Sequence, residues 1–223
     1  LDKYSKMSLS ITYIISKYGE DTASISTITE QNKELQEIED IGGCKALKKL
    51  DVSKNQLREF GGSVNCYNLT YLNISNNVIS EIPKEVYLLV RLVTLNISNN
   101  EITSLEHLSS LLSLKSLIAS GNKIKTAKPL SKLTLLNTLV LSKNEINEVP
   151  DISKMAMLEK LSLSHNKLTD FSLKAGVSRL TELRLNENKL LAVSLVCPKL
   201  KLLDIGNNPI TKKTEVINTL KQC

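Results

Sequence analysis

The sequence has few aromatic residues and nothing that resembles a membrane-spanning segment. Among its 223 residues there is no tryptophan, and there are only two phenylalanines and six tyrosines, so leucine and isoleucine must fill the core. No apolar run approaches the ~18 residues that a transmembrane helix needs, and we therefore expect no membrane span. Residues 1–10 also lack the basic-then-apolar layout of a secretory signal peptide.

Motifs that would indicate catalysis are absent as well. The two histidines, His107 and His165, lie in unrelated parts of the chain, and no recurring acid or cysteine accompanies them. The sequence contains no phosphate-binding loop, no nucleotide-binding glycine pattern and no metal-ligand spacing. We therefore expect a protein that is not an enzyme and has no catalytic, cofactor-binding or metal-binding residues.

The charge balance is mildly basic, without a concentrated basic block. The net charge is +6, the isoelectric point is near 9.0, and lysine and arginine are distributed along the whole chain. Single-stranded nucleic acids are usually bound by a basic groove interleaved with aromatic residues, and this sequence has no such pattern. We therefore expect no nucleic-acid partner.

What the chain does contain is an asparagine that recurs every 20 to 23 residues. Each copy ends a frame of apolar residues, for example Leu158-x-x-Leu161-x-Leu163-x-x-Asn166-x-Leu168. A period of this length predicts a stack of similar turns, and it excludes a globule with a single centre. The recurring residues are Asn55, Asn77, Asn100, Asn122, Asn144, Asn166, Asn188 and Asn208.

Each half of the repeat predicts a different local structure. Before the asparagine, apolar residues alternate, which predicts a short strand with leucines inward, stacked in parallel about 4.8 Å from the next strand. The buried asparagine amide can then satisfy backbone groups of neighbouring turns. After the asparagine, apolar residues recur every third position, which predicts short helical or 3₁₀ returns on the opposite face. One such run is Ile102, Leu105, Leu108, Leu111, Leu114 and Leu117.

The 22-residue unit resembles the leucine-rich repeat, and in particular the subclass typified by the leucine-rich regulatory subunit of type-1 protein phosphatase. The resemblance covers roughly residues 25–210, in about nine turns. It implies an α/β, right-handed solenoid or horseshoe, with a parallel β-sheet on the concave face and short helical or 3₁₀ returns on the convex face. The first turn is degenerate, because Lys33 replaces the asparagine and Glu30 occupies an apolar position.

Both ends of the chain predict helical caps that cover the first and last turns. Near the amino terminus, five apolar residues fall on one face of a helix that Gly19 would end. Near the carboxyl terminus, Thr214 to Lys221 predicts a second short helix. We therefore divide the chain into a cap at 1–24, repeats at 25–210 and a capping helix at 211–223. The apolar face of the first helix comprises Met7, Ile11, Ile14, Ile15 and Tyr18.

The cysteines indicate in which cellular compartment the protein is located. Cys44, Cys66 and Cys197 each lie eleven residues before a ladder asparagine, where other repeats have leucine, so we interpret them as buried small hydrophobic residues. A disulfide between the stacked neighbours Cys44 and Cys66 stays open as an alternative. Reduced thiols favour a location in the cytoplasm, with the cytoskeleton or nucleus as alternatives, over an extracellular one.

Three glycosylation sequons favour the extracellular alternative. They begin at Asn68, Asn73 and Asn96. The last two arise whenever the repeat places asparagine before an inward isoleucine and serine after it, and a glycan there would occupy the sheet face. We therefore interpret them as products of the repeat pattern.

The outward positions of the strands indicate a binding surface. Ile118 and Val140 point outward side by side, where other turns have polar residues. An apolar centre with a polar rim is typical of protein interfaces, although β-branched residues also simply favour strands. The predicted partner-binding residues on the concave face are Tyr71, Asn73, Thr94, Asn96, Ile118, Thr138, Val140, Lys160, Ser162, Glu182, Arg184 and Asp204.

The resemblance implies a scaffold or adaptor that binds a protein partner on its concave face, and we expect it to be a monomer. An extracellular recognition or adhesion module is one alternative, and a regulatory subunit of a protein phosphatase is another. The phosphatase regulator of this subclass uses acidic and aromatic residues on its concave face. Here Tyr71 is the only aromatic residue in the three outward columns, which lie six, four and two residues before the asparagines.

Overall fold

The computed structural model describes residues 7–149, 151–173 and 177–211. Its strands are short, and most contain three residues. In chain order they are β1 (Ser8–Leu9), β2 (Thr27–Thr29), β3 (Glu37–Ile38), β4 (Lys49–Asp51), β5 (Tyr71–Asn73), β6 (Thr94–Asn96), β7 (Ser116–Ile118), β8 (Thr138–Val140), β9 (Lys160–Ser162), β10 (Asp170–Leu173), β11 (Glu182–Arg184), β12 (Ala192–Leu195) and β13 (Leu202–Asp204).

Nine strands form one parallel sheet in sequential order, β2-β4-β5-β6-β7-β8-β9-β11-β13. Each strand pairs with the strand of the next turn, so equivalent residues of successive repeats lie side by side. The middle residue of each strand points into the core, as Leu95, Leu117 and Leu139 do with no exposed surface. The predicted solenoid with a parallel sheet is therefore confirmed.

The recurring asparagines form a hydrogen-bonded ladder along the solenoid. At Asn122, the side-chain amide donates to the carbonyl oxygens of Ile97 at 3.0 Å and Ala119 at 3.1 Å. Its Oδ1 accepts the N–H of Ile102 at 3.0 Å. All eight asparagines make the equivalent bonds, so each joins its own turn to the preceding one.

The residue before each ladder asparagine has a left-handed backbone conformation, which we did not anticipate. At these positions φ lies between 52° and 68°. Only Gly121 adopts this conformation without a steric cost, and asparagine tolerates it better than most residues. The set comprises Lys54, Asn76, Asn99, Gly121, Lys143, His165, Glu187 and Asn207.

The convex returns differ from turn to turn: the first contains β3, which pairs with β1, and residues 151–159 contain neither a 3₁₀ helix nor a strand. Four turns contain the predicted 3₁₀ helices, at Gly61–Ser63, Lys84–Leu88, Glu106–Ser110 and Lys128–Lys132, and a further 3₁₀ helix, Thr22–Ser24, precedes the repeats. In two later turns the prediction was wrong, because the returns are the strands β10 and β12, which pair in parallel. The physical reason is local. Exposed and buried residues alternate through Asp170–Leu173, and this period of two is typical of a strand.

Helix α1 (Ile11–Tyr18) lies at the amino-terminal end of the solenoid. The Oγ of Ser10 accepts the N–H of Tyr13 at 3.1 Å as an N-cap, and the helix ends at Gly19, where φ is 100°. The predicted apolar face was wrong at Met7, which precedes the helix, and at Ile15, which is 38% exposed. Only Ile14 of the five is fully buried. The second predicted helix, Thr214 to Lys221, lies outside the described residues.

Glu30 joins this helix to the sheet. Its side chain has no exposed surface and accepts three hydrogen bonds, from Lys17 at 2.6 Å, Tyr18 at 2.6 Å and Tyr13 at 2.9 Å. Burial alone would raise the pKa of Glu30, but these hydrogen bonds outweigh it and lower the pKa below its ordinary value. The hydrogen bonds from α1 therefore explain why an acid, Glu30, occupies an apolar position of the first turn.

Candidate functional site

The outward side chains of the sheet form two parallel rows. The first residue of each strand contributes to one row and the third residue to the other, and residues of neighbouring strands are in register. The first row is Thr27, Lys49, Tyr71, Thr94, Ser116, Thr138, Lys160, Glu182 and Leu202. The second row is Thr29, Asp51, Asn73, Asn96, Ile118, Val140, Ser162, Arg184 and Asp204.

The centre of the second row is apolar. Ile118 on β7 and Val140 on β8 are direct neighbours in the sheet, and both are partly exposed. Ser116 and Thr138 lie beside them in the first row and are also partly exposed. In the part of the chain that the structure describes, none of these four side chains makes a hydrogen bond or an ion pair. We call these four residues the central patch.

Towards β4, the rows are occupied by internal hydrogen bonds. Asp51 accepts from the Oγ of Ser53 at 2.7 Å, from Gln31 at 2.8 Å and from Asn73 at 3.0 Å. Burial tends to raise the pKa of Asp51, but these bonds, with the backbone N–H of Ser53, lower it below its ordinary value. This side of the face therefore contains a stably ionised, internally satisfied carboxylate.

A cation–π pair lies next to this carboxylate. The Nζ of Lys49 lies 5.2 Å from the centre of the Tyr71 ring. Such contacts at exposed sites stabilise by about 0.5–1 kcal/mol, so the Tyr71 ring is held against the sheet.

Towards β11, the rows carry a charge cluster. Glu182 forms ion pairs with Lys160 at 3.0 Å and with Arg184 at 2.8 Å. Ser162 makes a hydroxyl–hydroxyl bond with Ser142 at 2.7 Å. The central patch is therefore flanked by the hydrogen-bonded Asp51 cluster on one side and by the Glu182 ion pairs on the other, where the buried Oε1 of Glu182 accepts no hydrogen bond from any residue that the structure describes. The patch is the part of the face available for apolar contact.

All twelve residues that we predicted from the sequence lie in these two rows. Ten are at least partly exposed, but Asn73 and Ser162 are only 9% and 5% exposed. These two have internal partners and offer little surface to a ligand. Ser116 was not in the predicted set, although it occupies the same column as Thr94 and Thr138, and that column position would have identified it.

The cysteines pack in the core as expected. Cys44 and Cys66 are buried free thiols in adjacent turns, and Cys197 is buried in a later one. Burial raises the pKa of Cys66 to about 12 and also raises that of Cys44. Both thiols therefore stay protonated and unreactive near neutral pH.

Within residues 7–149, 151–173 and 177–211, His, Cys, Asp and Glu form no group of three that could coordinate a metal ion. None of the helices described there has the length and apolar character needed to cross a membrane.

Comparison with known proteins supports the repeat architecture. A family model described as "Leucine Rich repeats (2 copies)" matches residues 45–87 and 67–110, and a "Leucine Rich repeat" model matches residues 154–175. No curated protein matches the sequence.

Solved structures show the same fold. An internalin C2 from Listeria monocytogenes is 22% identical, with 87% of this chain and 91% of that chain covered and a TM-score of 0.76. An internalin (inlF) from the same organism is 23% identical, with 95% of this chain and 78% of that chain covered and a TM-score of 0.60. At these identities the similarity establishes the fold alone.

Proposed function

We propose that this leucine-rich-repeat protein is a non-enzymatic scaffold or adaptor that binds a protein partner through the central patch of its concave face. The observation that carries the proposal is the pairing of Ile118 with Val140 in the middle of the sheet, where neither side chain has an internal partner. Fully burying one such side chain stabilises a complex by about 1.5–3 kcal/mol, so two adjacent residues can anchor an interface.

The polar groups around the patch support this arrangement. The Asp51 cluster is satisfied internally, so a partner need not compensate for its desolvation, whereas Glu182 is held in ion pairs with Lys160 and Arg184 and its buried Oε1 accepts no hydrogen bond within the described ranges. The exposed cations Lys49 and Arg184 lie at opposite ends of the face and can select the charge of the partner's rim. The central patch thus supplies most of the affinity for the partner, and the cations at the two ends of the face orient the partner.

The main test is a double substitution in the patch. Ile118→Arg combined with Val140→Glu should abolish capture of the partner from cell extract, while thermal unfolding changes little because both side chains are on the surface. The matched control is Val78→Arg combined with Leu191→Glu, which alters two exposed apolar residues outside the sheet. If the partners captured by the wild-type protein survive the patch substitutions, binding through the concave centre is wrong.

We further propose that the protein acts in a reducing, intracellular compartment. The buried thiols of Cys44 and Cys66 support this, as does Asn73, whose sequon amide is buried and donates to Asp51. A glycan on Asn73 would lack the space it needs, because only 9% of this residue is exposed. The intact mass of protein isolated from its native source should equal the unglycosylated chain, and alkylation of the unfolded protein should label both thiols. A glycan or a Cys44–Cys66 disulfide would instead favour the extracellular alternative.

The phosphatase-regulator alternative has less support on the concave face. In the two rows Tyr71 is the only aromatic side chain, and the acids Asp51 and Glu182 have internal partners. Binding of a type-1 phosphatase catalytic subunit that the patch substitutions abolish would restore this alternative.

A further inference from the structure

A second surface differs in chemistry from the concave face. It is formed by the residues seven to twelve positions before each ladder asparagine, where the chain leaves the convex return and approaches the strand. Because the turns are stacked, these segments lie next to one another along one side of the solenoid, which we call the leading flank. It comprises residues 43–48, 65–70, 88–93, 110–115, 132–137, 154–159, 177–181 and 196–201.

The leading flank carries a row of exposed apolar side chains. Twelve large hydrophobic side chains are exposed in the described part of the chain, and six of them lie on this flank, at 40–58% exposure. Five come from consecutive turns, one from each. Tyr67, Val90 and Leu112 lie ten residues before their ladder asparagines and Leu135 and Met157 lie nine before theirs, so the stacked turns place them in a slightly staggered ridge about 20 Å long at the strand spacing. The six are Tyr67, Val90, Leu112, Leu135, Met157 and Val196.

The same flank is strongly basic. Nine exposed cations lie on it against a single acid, Glu159. No ion pair involves any of the nine within the ranges that the structure describes, and Arg91 donates only to the neutral Oδ1 of Asn68, at 2.9 Å. On the opposite flank, by contrast, Lys123 and Lys167 pair with Glu101 and Glu145. The nine cations are Lys45, Lys48, Arg91, Lys115, Lys132, Lys154, Arg179, Lys199 and Lys201.

We propose that the leading flank docks the protein peripherally on an anionic phospholipid surface. The apolar ridge enters the boundary between headgroups and acyl chains, and the surrounding cations contact the lipid phosphates and carboxylates. Exposed apolar residues bordered by lysine and arginine are typical of membrane-surface segments, since the two kinds of side chain act at different depths. This surface is separate from the central patch, so one face can bind a partner while the other contacts lipid.

The shape and composition of the ridge favour lipid over other anionic partners. Protein interfaces are anchored in pockets, whereas these side chains protrude in a single row that a fluid bilayer can accommodate. Nucleic acids without sequence preference are bound by stacked aromatic residues, and Tyr67 is the one aromatic residue on the ridge. The excess of unpaired cations supplies the charge complementarity that a phosphatidylserine-containing surface requires.

Vesicle sedimentation tests whether the cations of the leading flank contribute to lipid binding. The full chain should bind vesicles of phosphatidylcholine with about 30% phosphatidylserine and bind pure phosphatidylcholine far less. Each basic side chain near such a surface raises partitioning about five-fold, so Lys115→Gln, Lys132→Gln and Lys154→Gln together should weaken binding about 100-fold. The matched control, Arg58→Gln, Lys125→Gln and Lys189→Gln, removes the same charge from exposed positions elsewhere and should retain most of the binding.

Insertion of the apolar ridge into lipid can be followed by the fluorescence of an introduced tryptophan, because the chain has no tryptophan of its own. Leu112→Trp should shift its fluorescence to the blue on addition of the phosphatidylserine vesicles, and Val78→Trp, exposed outside the flank, should not. Absence of vesicle binding, equal loss in the two charge variants, or no shift at position 112 would each overturn the proposal. So would flank-dependent binding to polyuridylate without binding to vesicles. None of these variants alters the central patch, so the two proposals fail independently.

Discussion

At the scale of the residue, each ladder asparagine links its own turn to the preceding one through hydrogen bonds. Each satisfies backbone groups that lie beyond the reach of water, in its own turn and in the preceding one. The position of every ladder asparagine could be predicted from the sequence, because burial and an unmet backbone bond impose one residue type at a fixed interval. The left-handed residue before it could not be predicted, because lysine, histidine, glutamate, asparagine and glycine all occupy that position.

Replacing a ladder asparagine should therefore be costly. Asn122→Leu removes the amide and leaves the N–H of Ile102 unpaired, and the carbonyl oxygen of Ile97 keeps only the bond from Asn100. We predict a decrease of about 1–3 kcal/mol in the free energy of unfolding, measured by guanidinium titration with circular dichroism. As the control, Asn147→Leu alters an exposed asparagine whose side chain has no bond, and it should change stability by less than about 0.5 kcal/mol. Equal losses in the two variants would refute the role of the ladder.

Gly121 is the other residue whose replacement should be informative. Its φ is +68°, and a Cβ added there would lie 2.3 Å from the Oδ1 of Asn99. Gly121→Ala should cost about 1–2 kcal/mol through the left-handed backbone and this contact. Gly61→Ala, where a Cβ meets nothing within 4 Å, should be neutral or slightly stabilising in the same titration. A neutral Gly121→Ala would show that the turn can relax.

At the scale of the element, helix α1 shows where prediction from sequence stopped. The helix and its end at Gly19 could be predicted, but its buried face could not, because Tyr13 and Tyr18 are positioned by a carboxylate on the first repeat. In the sequence, the only sign of this contact is Glu30, a charged residue at a position where other repeats have an apolar one. Strands β10 and β12 likewise occupy convex returns where helical or 3₁₀ segments were predicted. The alternation of exposed and buried residues there favours a strand over the three-residue period of the other repeats.

The carboxylate of Glu30 should make the cap sensitive to pH. Because its pKa is lowered in the folded state, its contribution is complete above its ordinary value of 4.5 and is lost as the pH falls through the lowered pKa. Glu30→Gln should cost about 2–3 kcal/mol at pH 7, and the difference from wild type should shrink below about pH 4.5. Glu20→Gln, at an exposed position, is the control. A difference independent of pH would exclude ionic anchoring of α1 by Glu30.

At the scale of the whole molecule, the repeat sorts residues that are scattered in sequence onto separate surfaces. Counting back from the asparagines placed Ile118 beside Val140, and the register of β7 and β8 confirms that neighbourhood. The same counting, extended to the leading flank, gathers nine cations that look evenly distributed along the chain. Exposure was harder to predict, since Asn73 and Ser162 are covered by side-chain bonds that no period encodes.

The central claim is that a protein partner contacts the central patch, and site-specific photo-crosslinking tests it most directly. A benzophenone-bearing amino acid would replace Ser116, in the patch, or Thr103, which is exposed outside the sheet rows. We predict a covalent adduct with a discrete partner from position 116, absent from position 103 and abolished by Val140→Glu in the same chain. An adduct from position 103 alone, or one from position 116 that survives Val140→Glu, would contradict the account.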